Sequence, residues 1–176
     1  MEQDILSLTT PIKVDEIKAL NPGDQILLSG QIFTGRDVAL PKLVQLANQG
    51  ELVDMGIELT GGVIFHTAVS RAGTGPTSSN KQDIENSIVQ LSKHGIRIHL
   101  GKGTLSNETI LNMSNYDAAF AIIPPVTALL KKKIIKQNIL LFPEAGVEAF
   151  HVLEIKSVPA IIAAVNGDSI FGRERI

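Results

Sequence analysis

Three apolar, β-branched runs in this chain each break into a glycine-bearing loop and then into a stretch with helical spacing. Gln25 to Phe33 leads through Thr34-Gly35-Arg36-Asp37, Val63 to Val69 through Gly75-Pro76-Thr77-Ser78-Ser79, and Ile96 to Leu100 through Gly101-Lys102-Gly103. The same alternation recurs further on, and the chain begins and ends rich in strand. Alternating strands and helices of this kind build an α/β layered domain with a mixed sheet. At 176 residues the chain is expected to form one domain, residues 1–176, long enough to bury a real core.

The periodicity assigns the elements. An extended entry over Leu6–Ile12 and a short helix over Val14–Leu20 lead to a turn at Asn21-Pro22-Gly23-Asp24. Gly30 interrupts the first long strand and reads as a bulge or close approach. Helices are expected from Asp37 to Gln49, with Leu40, Leu43, Val44 and Ala47 on one face, and from Ser79 to Lys93, stopped by Gly95. Ser106 should cap a helix beginning at Asn107. Beyond it lie strands over Tyr116–Ile123 and Ile139–Phe142, with a helix over Val126–Lys133 between them. Then come a turn at Pro143 to Gly146, strands over His151–Lys156 and Pro159–Val165, and a hairpin at Asn166-Gly167.

Composition removes several kinds of chemistry. There is no cysteine, and so no disulfide, thiolate metal site, cysteine nucleophile or self-held iron–sulfur cluster. The histidines, His66, His94, His99 and His151, have no metal-ligand spacing, and His66 and His99 read as satisfied sheet residues. A net charge of −2 leaves no footprint for nucleic acid, and Lys131-Lys132-Lys133 reads as the solvated end of a helix. No apolar run approaches the ~20 residues of a membrane span, and Met1 to Thr10 lacks the apolar core of a signal peptide. A soluble, cytoplasmic protein is the expectation.

The three loops place glycine backbone, hydroxyls and cations at strand ends and helix starts, where free N–H groups and the helix dipole favour anions. Arg36, Lys81 and Lys102 would add full charges to that field. Each loop also has a plain structural reading. Thr34 to Asp37 could be a strand-to-helix turn capped by Asp37, and Gly75 to Ser79 a loop and cap. Gly101 to Gly103 could be a flexible turn that lacks the spacing of a nucleotide P-loop. Taken together after successive strands, they point to a site for a small carboxylate or phosphate at one edge of a sheet.

These residues, with Leu8-Thr9-Thr10-Pro11-Ile12, Leu28-Ser29-Gly30 and Phe142-Pro143-Glu144-Ala145-Gly146-Val147-Glu148-Ala149, stand in the order seen in one family. From Leu8 to about Phe171 the chain resembles the β subunit, or C-terminal domain, of the class I iron–sulfur hydro-lyases, fumarate hydratase and L(+)-tartrate dehydratase. The resemblance implies a layered, swivelling β/β/α domain that closes over a [4Fe–4S] cluster held by a separate α subunit. It further implies reversible hydration of a small dicarboxylate, fumarate/malate first and tartrate next, in a homo- or hetero-oligomer. Carried over by position, Thr77 and Lys102 would be catalytic, while Arg36, Ser78 and Lys81 would bind substrate.

Four positions depart from the family pattern. Leu40 stands where a histidine is usual, and Lys81 where an arginine is expected, which keeps charge but loses the planar fork. Pro124-Pro125-Val126-Thr127 replaces a Gly-Gly-Ala-rich loop, and Val69-Ser70-Arg71 replaces a Gly-Pro. The resemblance therefore carries two functional expectations: a catalytic β subunit of a hydro-lyase, or a non-catalytic paralogue that binds a small anion or a partner subunit.

Overall fold

The computed structural model describes residues 3–70, 73–74, 81–124 and 127–172. Its elements in chain order are β1 (Leu6–Thr9), α1 (Val14–Lys18), β2 (Gln25–Gly35), α2 (Ala39–Asn48), β3 (Val63–His66), β4 (Val69–Ser70) and β5 (Gly73–Thr74). There follow α3 (Lys81–Lys93), β6 (Ile98–Gly101), α4 (Asn107–Ser114), β7 (Ala119–Ile122), α5 (Thr127–Lys133) and β8 (Ile134–Leu141). A 3-10 turn (Pro143–Glu148), β9 (Phe150–Val165) and β10 (Asp168–Ser169) complete the fold.

The expected mixed sheet is present, and it closes on itself. β2, β3, β6 and β7 run parallel in that order, β9 pairs antiparallel with β7, and β9 pairs antiparallel with β2. The result is a five-stranded mixed barrel. β1 lies parallel to the first half of β2, while β8 lies antiparallel to the first half of β9. Closure depends on β9, which the sequence reads as two strands. Ser157, at φ 53°, and Pro159 bend it without ending it, and pairing with β2 resumes on both sides of the bend. Ser29 Oγ accepts the Ser157 N–H at 2.9 Å and fixes that bend. Gly30 sits in the matching irregularity of β2 at φ 102°, as expected; a side chain there would collide with Thr10.

Alternation along the strands divides the core. Inward residues, among them Leu28, Ile32, Phe65, Leu100, Ala121 and Ile155, fill the barrel. Outward residues such as Ile64 pack with Leu40, Leu43, Leu91 and Phe150 beneath α2 and α3. Ile88, Ile110, Met113 and Phe120 form a third cluster between α3, α4 and the sheet.

Several local expectations hold. Ser106 Oγ accepts the Thr109 N–H at 3.2 Å and caps α4. Gly95, at φ 104°, ends α3, and Asn166-Gly167, both at positive φ, turns β9 into β10. Others shift. Asp37 does not cap α2, whose first turn begins at Ala39 behind Val38 with no side-chain cap. The second strand stops at His66, where Thr67 N–H turns back to Phe65 O at 2.9 Å. β8 starts directly after α5, five residues before the expected Ile139. Among the described residues no helix is long and apolar enough to cross a membrane.

Candidate functional site

Because β2, β3 and β6 are parallel, their C-terminal ends meet at one end of the barrel. Arg36 leaves the end of β2 and Lys102 the end of β6, so both cations stand at that rim. A helix joining two parallel strands runs back along them, which sets Lys81, the first residue of α3, at the same end. Lys81 and Lys102 are exposed, whereas Arg36 is half-buried. Thr77 and Ser78 lie outside the described residues, as do Pro125 and Val126.

Arg36 is held by a partner that no local pattern assigns. Its Nε lies 3.2 Å from Glu148 Oε1, an ion pair in which the N–H does not point squarely at the oxygen. Glu148 ends the 3-10 turn. Glu144 of the same turn stands 3.9 Å from Lys42 of α2, and the Lys42 ammonium lies 5.4 Å from the centre of the Phe142 ring. The Phe142–Ala149 motif thus latches against the junction of β2 and α2. Leu40, in the same cluster as Phe150, is buried beneath α2. A β-carbon on Gly35 would lie 2.6 Å from Leu40 Cδ2. Its packing role is therefore plain, and Gly35 is the residue that makes room for it.

Behind the rim lies a buried polar chain. His66, the last residue of β3, and His99, in the middle of β6, are both buried. His66 Nε2 lies 3.0 Å from His99 Nδ1, and His99 Nε2 lies 2.9 Å from Ser92 Oγ on α3. Ser92 Oγ in turn donates to Ile88 O at 2.6 Å. Burial pushes the His66 imidazole down to about 4, and burial together with the neighbouring His66 holds His99 well below the usual histidine value. Both rings are neutral near pH 7. The expectation that these histidines are satisfied sheet residues needs correcting at one atom: His66 Nδ1 is buried without a hydrogen-bond partner. The only sequence signal was the occurrence of both histidines within apolar strands, since their adjacency depends on strand register.

The sheltered polar side-chain atoms without a hydrogen bond, among the described residues, are Thr34 Oγ1, Arg36 Nε and His66 Nδ1. Gly35, between the first two, is the register partner of His66. Thr34 pairs with Phe65 and so faces the barrel interior, whereas His66 pairs with Gly35 and faces α3, so the three atoms lie at the ends of β2 and β3 but not on one face. Buried groups left unpaired are costly, by ~1–3 kcal/mol each, and three of them near the ends of two neighbouring strands single out this end of the barrel. For a metal the patch is poor. The chain has no cysteine, and no group of three histidine, aspartate or glutamate ligands occurs among the described residues.

Fold and rim together define a mixed α/β barrel protein with cations and sheltered polar atoms gathered at its parallel-strand ends. The chain belongs to the Fumarase C-terminus family, whose sequence pattern matches residues 2–174. It is similar to a Methanocaldococcus jannaschii protein named as an L(+)-tartrate dehydratase subunit beta, 26% identical over 171 residues that cover 89% of this chain and 86% of that one. The Escherichia coli L(+)-tartrate dehydratase subunit beta is also 26% identical, over 90% of this chain and 82% of its own. Fumarate hydratase 2 of Leishmania major matches at 26% over 88% of this chain, which spans 30% of that longer protein.

Proposed function

We propose that this chain is the β subunit of a class I hydro-lyase that adds water reversibly to a small dicarboxylate, with fumarate/malate the first candidate and tartrate the next. Family membership supports the reading, and the observation that carries it is the placement of Arg36, Lys81 and Lys102 around one barrel end. Arg36, Lys81 and Ser78 bind the carboxylates, and a guanidinium suits a carboxylate's two oxygens. Thr77 and Lys102 handle the proton on the carbon next to the site of hydration. A [4Fe–4S] cluster supplies Lewis acidity toward the substrate oxygen, and it resides on a separate α subunit, because this chain has no cysteine to hold it. The barrel acts as a swivelling domain whose rim closes on that subunit.

A specific observation favours a second reading. Leu40, where the family usually has a histidine, is buried and cannot carry a proton. A non-catalytic paralogue that binds a small anion or a partner subunit would keep Arg36 and Lys102 while losing such a group.

Co-expression with a cysteine-bearing α-type partner encoded nearby, under anaerobic conditions, tests the two readings with fumarate, malate and tartrate as substrates. The isolated chain should be colourless and inactive, and the complex should turn over at least one substrate. A cluster-replete complex inert to all three would favour the anion binder. Turnover by the chain alone would overturn the two-subunit reading.

A further inference from the structure

The His66–His99–Ser92 chain has a fixed direction. Ser92 Oγ lies 2.6 Å from Ile88 O, a carbonyl that brings no hydrogen, so the serine's only hydroxyl hydrogen is committed there. Oγ therefore meets His99 Nε2, at 2.9 Å, with a lone pair, and that nitrogen bears the ring hydrogen. In a neutral ring His99 Nδ1 is then an acceptor, and the 3.0 Å contact makes His66 Nε2 the donor. One position remains. His66 Nδ1 is a lone pair, sheltered and unpartnered, at the end of β3. Every step follows from the serine bond, and the chain holds its protons so that the free acceptor is left at its β3 end.

Its surroundings select what it can accept. His66 pairs in register with Gly35, which precedes Arg36, and lies one residue beyond the Phe65–Leu100 pair, beside Gly101 and Lys102. The acceptor therefore belongs to the strand between those bearing the two rim cations. A carboxylate has no proton to give it, and an ammonium ion would lose its hydration in this buried setting. A neutral hydroxyl satisfies it.

We propose that His66 Nδ1 accepts a hydrogen bond from the hydroxyl of a small hydroxy-dicarboxylate whose carboxylates are held at the rim by Arg36 and Lys81. His66 thereby distinguishes a hydroxy-acid from the same dicarboxylate without the hydroxyl. His99 and Ser92 are positioning residues that keep the ring hydrogen on Nε2. The inference rests on the dicarboxylate reading above and names the substrate feature that the site recognises.

Nitrogen-15 NMR of the imidazoles in the full chain reads the tautomers directly. Both His66 and His99 should carry hydrogen on Nε2 at pH 7. Titration with succinate, L-malate and L-tartrate then compares zero, one and two hydroxyls on the same dicarboxylate frame. The His66 Nδ1 resonance should shift with malate or tartrate and stay with succinate. One hydroxy-acid should bind at least ~10-fold more tightly than succinate, the scale of leaving a buried acceptor unpaired. Ser92→Ala should admit the other tautomer and narrow that preference, and His66→Phe should abolish it. Hydrogen on His66 Nδ1, or equal binding of all three acids, overturns the proposal. Equal binding would leave the dicarboxylate reading intact, whereas binding of none would sink both. A complex that binds these acids yet fails to turn any of them over counts against the hydro-lyase reading alone.

Discussion

Nε of Arg36 stands 3.2 Å from Oε1 of Glu148, so one edge of the guanidinium is already committed within the chain. Both side chains are about a quarter exposed, at 23% and 25%, so the pair is neither a surface contact nor a fully desolvated one. A single ion pair leaves the Nη edge to meet a carboxylate, and Glu148 fixes the direction in which that edge points.

Arg36→Gln should therefore do two separable things. Loss of a charge-assisted bond should weaken dicarboxylate binding by about 1.5–3 kcal/mol, and Glu148 left without its partner should lower stability by about 1 kcal/mol. The double variant Arg36→Gln/Glu148→Gln should recover the stability and leave binding weak. Denaturant unfolding and calorimetric titration with a dicarboxylate measure the two effects. Recovery of binding in the double variant would show that Arg36 serves the turn and not the ligand.

Gly35 and Leu40 form a packing pair. Gly35→Ala places a methyl 2.6 Å from Leu40 Cδ2 and should cost about 1–3 kcal/mol through overpacking. Leu40→Ala, at a buried position, should cost about 2–5 kcal/mol. The two losses should be less than additive, since the alanine at 40 leaves room for the methyl at 35. Simple additivity in a denaturant double-mutant cycle would show that the two positions do not touch. Leu40→His tests the proton question in the assembled complex. It should lower the melting temperature, and it should raise turnover of fumarate or tartrate if the family histidine is what this chain lacks.

At the start of α3 the side chain of Lys81 is exposed, so Lys81→Arg should leave stability unchanged. Where it meets a carboxylate the planar fork should tighten binding about 2- to 10-fold. Inhibition of the complex by succinate is the measurement. An unchanged constant would remove Lys81 from the substrate site.

Much of this arrangement is legible without coordinates, and the part that is not has a physical reason. Gly30, Gly95, Ser106 and Asn166-Gly167 act locally, through positive φ or a cap, and each does what its residue type requires. The strand ends bearing Arg36 and Lys102 follow from the same local grammar of strand, glycine and helix. Barrel closure does not, because it depends on β9 continuing past Ser157 and Pro159, residues that ordinarily end a strand, under pairing from β2. The Arg36–Glu148 contact and the His66–His99 contact join residues 112 and 33 positions apart, and only strand register brings them together. A buried histidine pair is invisible in a periodicity that records each of them as one more inward or outward position.

Acid should expose that pair. Burial pushes His66 in the folded chain down to about 4, below the 6.5 of a free imidazole, and His99 is lowered in the same sense by burial and by His66. Between those values the unfolded chain takes up a proton that the folded chain refuses. Stability is therefore complete above pH ~6.5 and falls as the pH drops from there toward 4, by up to ~1.4 kcal/mol per pH unit for each such histidine. His94, lowered by partial burial and by Lys93, acts in the same direction. Glu58 accepts the Thr60 N–H at 2.9 Å and titrates below the usual carboxylate value, so its contribution is lost at lower pH than the histidines'. Among the described residues no carboxylate pairs with either buried ring to offset the loss. The double variant His66→Leu/His99→Leu removes both titrating groups and should flatten the decline between pH 6.5 and 4.5. Urea unfolding at half-unit pH intervals compares the two proteins. Parallel profiles would mean that the pair takes up its protons within the folded chain, and that the neutral hydrogen-bonded chain ending at His66 Nδ1 is not the state that folding protects.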